Sequence, residues 1–250
     1  MYFIGIDVGS TFSKYCVLNE AGAVVELFTE QTPIRQKAYF EDKLNTLCAQ
    51  YSDCHIISCG YGRKNVPGQK KISELTALAA GVFRESPDCS AVLDIGGQDT
   101  KIIFQENGKL KAFFTNEKCA AGCGMFLKTT LEMVQMDFQQ FSLTSQGMDL
   151  PELKLSNVCA VFAQSEIVEA IAEDIPAEQI IRAVLRQIFI QARILVNKVD
   201  CPSVALSGGI SKIPGIIPFA EQILGKPVLL PQRAPYLSAI GCAELCYQSN

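Results

Sequence analysis

The chain has 250 residues, 48% hydrophobic and 19% charged, enough for two modest domains or one large one around a sizeable core. Its net charge of −4 comes without any dense basic stretch, which argues against a nucleic-acid surface. No segment approaches the roughly 18 apolar residues needed to span a bilayer, and the sequence opens directly on a strand, so the expectation is a cytoplasmic protein without a signal peptide or membrane segment.

The first half reads as three strands, Tyr2–Val8, Ser13–Leu18 and Val24–Thr29, with Asn19–Gly22 as the second turn. A helix over about Gln36–Gln50 places Phe40, Leu44 and Leu47 on one face. Strand His55–Cys59, the turn Gly60-Tyr61-Gly62 and a helix from Ser73, a good N-cap, to Phe83 follow, and Pro87-Asp88 marks a break. The second half repeats this order: strands Ala91–Ile95, Thr100–Gln105 and Leu110–Thr115, with Asn107-Gly108 as a turn, then a helix Met125–Met136. A polar connector, Ser142–Leu155, precedes helix Phe162–Ala172 and a long helix from about Pro176 to Val199 with an apolar 3.6-residue period. Strand Ser203–Leu206, the turn Ser207-Gly208-Gly209, helix Pro214–Leu224, strand Pro227–Leu230 and helix Tyr236–Tyr247 complete the chain. The expected domains are residues 1–88 and 89–234, with a C-terminal helix over about 235–250 packed back on the first.

One short motif occurs twice. Gly5-Ile6-Asp7-Val8-Gly9-Ser10-Thr11-Phe12-Ser13-Lys14 is matched by Val92-Leu93-Asp94-Ile95-Gly96-Gly97-Gln98-Asp99-Thr100-Lys101, with Asp, Gly and Lys at the same spacing. Each copy is a hydrophobic strand ending in Asp, a tight glycine turn and a second strand. A single such turn needs no function, because Gly suits hairpin geometry. Two in register imply a duplicated α/β architecture with a cleft between two domains. Backbone N–H groups around Gly9, Ser10 and Thr11 and around Gly96, Gly97 and Gln98 can cradle phosphates. Lys14 would neutralise phosphate charge, and Asp7 and Asp94 would reach Mg²⁺ through water. Gln98 or Asp99 could orient an attacking water, with Glu74, in the first turn of its helix, as a second candidate. Ser207-Gly208-Gly209, at the end of a hydrophobic strand, lets backbone approach a nucleoside.

Eleven cysteines form an odd set without secretory context, so a disulfide framework is not expected. Most read as small buried hydrophobes, among them Cys16, Cys59, Cys242 and Cys246. A Ser-His or Cys-His catalytic pair would rest on the single histidine, His55, inside an expected strand, and is not expected. Two segments stand apart: Asn116-Glu117-Lys118-Cys119-Ala120-Ala121-Gly122-Cys123-Gly124 and Val158-Cys159-Ala160-Val161-Phe162-Ala163-Gln164-Ser165-Glu166. An iron–sulfur or zinc site wants four ligands, and no Cys-x2-Cys or Cys/His pairing offers them in one chain. Spacing alone leaves two readings, buried structural cysteines or two thiolates from each of two chains related by a two-fold axis.

Gly5–Lys14 and Leu93–Lys101 resemble the two phosphate loops of the actin, sugar kinase and Hsp70 ATPase superfamily, and Val204–Ile210 resembles its adenosine motif. The implied fold is α/β, two duplicated ribonuclease H-like domains of the actin/Hsp70 type with a nucleotide cleft between them. Lys118-Cys119-Ala120-Ala121-Gly122, together with Cys159, Val161-Phe162-Ala163 and Ser165-Glu166, resembles the signature of the activators of 2-hydroxyacyl-CoA dehydratases. That family includes the ATPase subunits of benzoyl-CoA reductases, and Gly60-Tyr61-Gly62-Arg63 also matches it. The resemblance covers essentially the whole chain. It implies an oxygen-sensitive homodimer sharing one [4Fe–4S] cluster, with Cys119 and Cys159 as each chain's ligands. It implies ATP/ADP and Mg²⁺ as cofactors, with Gly9, Ser10, Thr11, Lys14, Gly96, Gly97, Gln98, Gly122, Gly124, Gly208 and Gly209 lining the nucleotide. Reduced ferredoxin or flavodoxin would be the electron donor and an iron–sulfur dehydratase or reductase component the acceptor.

The sequence departs from that family at Cys123, where Thr is usual, at Met125, where Arg is usual, at Leu78, often His, and near Ile213, where an Asn is absent. The rival readings are a small-molecule kinase on the same fold, which would need a general base beside a hydroxyl-bearing substrate, and a non-catalytic ATP-binding assembly protein.

Overall fold

The computed structural model describes residues 1–67, 70–116, 120–144, 153–155 and 159–250. They form two compact units, one of Met1–Ser90, Ile103–Phe113 and Pro231–Asn250, the other of Ala91–Ile102 and Phe114–Leu230.

In the first unit, β1 (Tyr2–Val8) pairs antiparallel with β2 (Phe12–Asn19), and β2 with β3 (Val24–Gln31). The turn between β2 and β3 closes on Asn19, whose Oδ1 accepts from the N–H groups of Ala21 and Ala23. Helix α1 (Gln36–Gln50) carries the chain back to β4 (Cys54–Cys59), parallel to β1, and the two-residue β5 (Lys70–Lys71) extends that edge. The sheet order is β3-β2-β1-β4-β5. Residue alternation along β1 sends Ile4, Ile6 and Val8 to one face, against Phe40, Leu44 and Leu47 of α1, and Phe3 to the other, against Cys242 and Cys246. The expected face of α1 is therefore the one buried.

That second face is covered by α7 (Leu237–Tyr247), which also packs along α2 (Glu74–Glu85). The approach is so close that a Cβ at Gly241 would stand 1.7 Å from the Ala77 carbonyl oxygen, and one at Gly81 would stand 1.9 Å from that of Leu237. Backbone contact of this kind leaves no room for a side chain. Arg84 and Arg233 pair with Glu244 and Glu85 around this layer. His55 stacks on Phe3, with ring centroids 5.9 Å apart.

The second sheet contains β6 (Ala91–Ile95), β7 (Thr100–Glu106), β8 (Lys109–Thr115), β9 (Val204–Gly208) and β10 (Val228–Leu229), in the order β10-β9-β6-β7-β8. Read from the far edge, this is the order of the first sheet. β9 runs parallel to β6 with Asp94 opposite Ser207 and Ile95 opposite Gly208, as β4 runs parallel to β1. The duplicated α/β fold expected from the repeated motif is thus the one observed. Where the first half has α1 alone, the second has α3 (Gly124–Met133), α4 (Ala160–Ala172) and α5 (Ala177–Val196); α6 (Ile216–Leu224) stands between β9 and β10.

Several helix ends differ from expectation: α2 runs on to Glu85 rather than Phe83, and α6 begins at Ile216 rather than Pro214. α3 stops at Met133 rather than Met136, because Gln135 takes a left-handed conformation at φ 53. α4 begins at Ala160 rather than Phe162, because Cys159 occupies the N-cap position. α5 ends at Val196 rather than Val199. Its apolar stripe, including Ile180, Ile181, Val184, Leu185, Ile188 and Leu195, is buried as the period predicts. Most of the expected connector Ser142–Leu155, as well as Cys119, lies outside the described residues.

Among the described residues seven cysteines, Cys16, Cys59, Cys89, Cys123, Cys201, Cys242 and Cys246, are buried. Burial pushes the Cys16 thiol up to about 12 and that of Cys246 to about 11, so both stay protonated and behave as small apolar side chains. Among the described residues no helix is long and apolar enough to cross a membrane.

The α2–α7 contact supplies a direct test. Gly241→Val should destabilise the protein by about 3 kcal/mol, since overpacking against backbone cannot be relieved by a rotamer change. Urea unfolding followed by circular dichroism measures it, and a wild-type midpoint would contradict the backbone contact.

Candidate functional site

Each copy of the repeated motif ends its first strand in a buried carboxylate, 6% exposed at Asp7 and 7% at Asp94. A buried carboxylate needs a counter-charge. In the first copy Lys14 lies opposite Asp7 in the β1–β2 ladder, with its Nζ 4.0 Å from Oδ2. In the second copy Lys101 lies 3.5 Å from Asp94 and 3.4 Å from Asp99. The two lysines differ: the Lys14 side chain keeps 22% exposure, whereas that of Lys101 keeps 3%. Lys14 can therefore meet an incoming anion, and Lys101 is committed inside the protein.

The first turn is closed by Gly9 N–H donating to the Phe12 carbonyl at 3.2 Å. Thr32 braces it from β3's end: its hydroxyl donates to the Gly9 carbonyl at 2.9 Å, and its N–H donates to that of Thr11. Ser10 is exposed and Thr11 half-buried at the tip. The Gly60-Tyr61-Gly62 turn after β4 sits against the same strand end. Gly62 N–H donates to the Val8 carbonyl at 3.0 Å, and a Cβ at Gly60 would stand 2.7 Å from Asp7 Oδ1. Cys59 Sγ lies 3.7 Å from that oxygen, and its thiol pKa is raised well above normal, chiefly by burial. Glu74 is half-buried at the first position of α2, whose N-cap Ser73 accepts from Thr76 N–H at 3.0 Å.

The second turn closes in the same way, with Gly96 N–H donating to the Asp99 carbonyl at 2.9 Å. Its carbonyls are also occupied. Gly96 accepts from Gly124 N–H at 2.8 Å and Gly97 accepts from Met125 N–H at 2.9 Å, so the turn caps the N-terminus of α3. A Cβ at Gly124 would stand 3.0 Å from the Gly96 oxygen, which explains a glycine there. Gln98 is exposed at the tip, whereas the Asp99 carboxylate is engaged by Lys101. Beside this turn β9 ends in Gly208, at φ 93 and with no space for a Cβ, which would lie 2.1 Å from the Ile95 oxygen. Gly209 follows in the open, with nothing within 4 Å of a Cβ position.

Thr100 and Asn116 were not among the expected site residues, yet they anchor the flanks of the first cysteine segment. Thr100 N–H donates to Asn116 Oδ1 at 3.0 Å, and Asn116 N–H donates to the Thr100 carbonyl at 2.9 Å. The Thr100 hydroxyl donates to the Gly122 carbonyl. Both ends of the stretch around Cys119 are thus tied to the residue that follows the second glycine turn. Their sequence signal was slight, a Thr between Asp99 and Lys101 of the repeated motif and an Asn opening the first cysteine segment. Cys123, at the N-cap of α3, is buried. The divergent Leu78 and Ile213 are likewise core residues, with 0% and 2% exposure.

Cys159 is the N-cap of α4 and its thiol is exposed. Beyond it Val161, Phe162, Val168 and Ile171 are exposed. Among the described residues no group of three or more His, Cys, Asp and Glu side chains gathers as a metal site.

Comparison with known proteins finds relatives along the whole chain. The chain is 31% identical to the activator of lactoyl-CoA dehydratase of Anaerotignum propionicum over 100% of its own length and 98% of the relative's. It is 29% identical to the (R)-2-hydroxyglutaryl-CoA dehydratase activating ATPase of Acidaminococcus fermentans, covering 99% and 98% of the two chains. The solved structure of the activator of the 2-hydroxyisocaproyl-CoA dehydratase from Clostridium difficile with bound ADPNP superposes with a TM-score of 0.88 at 29% identity, covering 100% of this chain and 95% of that one. A sequence model of one ATPase family matches residues 4–246. From the strand before the first glycine turn to the end of the helix that packs on it, this chain belongs to the BadF/BadG/BcrA/BcrD ATPase family.

Proposed function

We propose that this chain is an ATP-driven activator that passes one low-potential electron to an iron–sulfur dehydratase or reductase component. In this reading two copies hold one [4Fe–4S] cluster through Cys119 and Cys159 of each, and reduced ferredoxin or flavodoxin is the donor. The observation that carries it is the exposed Cys159 thiol at the N-terminus of α4, in a chain whose named relatives are activators of acyl-CoA dehydratases. The apolar side chains Val161, Phe162, Val168 and Ile171 exposed on that helix suit burial against a second copy. A [4Fe–4S] cluster supplies one-electron chemistry at low potential when four thiolates hold it.

The chain's own residues supply the nucleotide chemistry. Gly9 and Gly96 close the two turns through their own N–H groups, leaving the N–H groups of Ser10 and Thr11 and of Gly97 and Gln98, with the partly exposed Lys14, to bind phosphate, and Gly208 and Gly209 bring backbone close to the nucleoside. Asp7 and Asp94 hold Mg²⁺ through water. Gln98 orients the attacking water, because its side chain is exposed while the Asp99 carboxylate is engaged by Lys101. Glu74 is the alternative for that role.

Coupling follows from hydrogen bonds within the second unit. A shift of Gly96–Gly97 on phosphate binding pulls on the α3 N–H groups of Gly124 and Met125, and Thr100 carries it to Asn116 and Gly122. Gly122 and Gly124 therefore act as backbone contacts of the turn as well as liners of the site. The small-molecule kinase reading has less support, because the named relatives are activators.

Iron and acid-labile sulfide after anaerobic purification test the cluster: about two of each per chain, with a dimer by native mass, is the expected result. No iron even after reconstitution would make the kinase the better reading. Cys159→Ala should abolish iron binding while the far-ultraviolet circular dichroism stays unchanged, and an intact cluster in that variant would remove Cys159 from the ligand set. Thr100→Val keeps the side-chain shape and removes the bond to Gly122, a loss of about 1–3 kcal/mol at that contact. It should shrink the effect of ATP on the rate at which a chelator extracts iron. An undiminished ATP effect would place the coupling elsewhere.

A further inference from the structure

Two thiols meet far in sequence from the cluster cysteines. Cys48 lies in the last turn of α1 and Cys54 is the first residue of β4, and their sulfurs are 3.1 Å apart. The reversal between them is well anchored. Tyr51 N–H donates to the Leu47 carbonyl at 2.8 Å, Tyr2 N–H donates to the Asp53 carbonyl at 3.1 Å, and Asp53 takes a left-handed conformation at φ 54. Cys54 is itself fixed in the ladder opposite Tyr2. The backbone thus holds both sulfurs in contact, and a bridge needs them to close by about 1 Å.

Access separates this pair from the other close thiols. Cys59 hydrogen-bonds Cys242, but both are 0% exposed. Cys48 is exposed and Cys54 is half-buried. We propose that Cys48 and Cys54 form a reversible dithiol–disulfide modification site whose reaction partner is a low-molecular-weight disulfide such as oxidised glutathione.

The exposed Cys48 is the sulfur an external disulfide can reach. Its thiolate attacks one sulfur of the small disulfide, breaking that S–S bond and releasing one thiolate. Cys54 then loses its proton to solvent and attacks the Cys48 sulfur, forming the internal bond and releasing the second small thiolate. Two protein thiols are oxidised by two electrons and one small disulfide is reduced to two thiols. Burial, followed by the hydrogen bond with Cys48, pushes the Cys54 thiol up to about 12, which disfavours its thiolate; the held contact with the Cys48 sulfur offsets that low fraction in the second, intramolecular step. The bridge ties the end of α1 to the start of β4.

The test uses anaerobically purified full-length protein incubated with oxidised glutathione. Remaining thiols are alkylated under denaturing conditions, and the chain is cut on the N-terminal side of aspartates. Cleavage before Asp53 separates Cys48 from Cys54. The expected product is these two peptides joined, lighter by two hydrogens than the separate thiols and split by dithiothreitol, with Cys59 and Cys242 alkylated. Cys48→Ser, an exposed change that leaves the fold intact by circular dichroism, should lose the linked product entirely. Glutathione attached to Cys48 with Cys54 alkylated, or both residues alkylated, would overturn the proposal. Because the readout is a peptide mass, its outcome is independent of whether iron is bound elsewhere.

Discussion

Each half of this protein is organised around a carboxylate buried at the end of a central strand. Asp7 and Asp94 are almost fully enclosed, and such groups persist only when a counter-charge and hydrogen bonds accompany them. Lys14 and Lys101 meet that requirement from the neighbouring strand. The tight turn between strand and lysine follows, because both residues must reach the same side of the sheet across a very short connection. The glycines that make that turn also leave backbone N–H groups at its tip, the arrangement on which the proposed phosphate contacts rest.

The two copies have diverged in what surrounds the shared turn. The first is braced by Thr32 and by the Gly60–Gly62 turn, all within one unit. The second caps α3 directly and reaches both flanks of the Cys119 segment through Thr100. The deeper burial of Lys101, with two carboxylate partners, fits this difference: the second turn is part of a hydrogen-bonded assembly, and its charge is neutralised inside the protein. In the proposed function this is the half that converts nucleotide contacts into motion near the cysteines.

The cysteines divide by environment. Among the described residues seven fill the interior, as composition and context predict for a chain without a disulfide framework. Cys159 and the Cys48–Cys54 pair differ only in where the backbone puts them, one at an exposed helix start and the other two at either end of a tight reversal. Access and placement, rather than residue type, set these three apart.

Much of this was legible in the residues themselves. The repeated Asp-x-Gly-x4-Lys spacing predicted two like halves, and the strand orders are the same; the apolar periods of α1 and α5 predicted their buried faces. Local periodicity carries this information because burial on one face is a property of each element alone. The stop of α3 at a left-handed Gln135, the backbone contact of α2 with α7 at Gly81 and Gly241, the bonds from Thr100 and the meeting of Cys48 with Cys54 were not legible. Each depends on where a second element, distant or across a turn, is placed in space, and a glycine, a threonine or a cysteine looks the same in sequence whether or not that neighbour arrives.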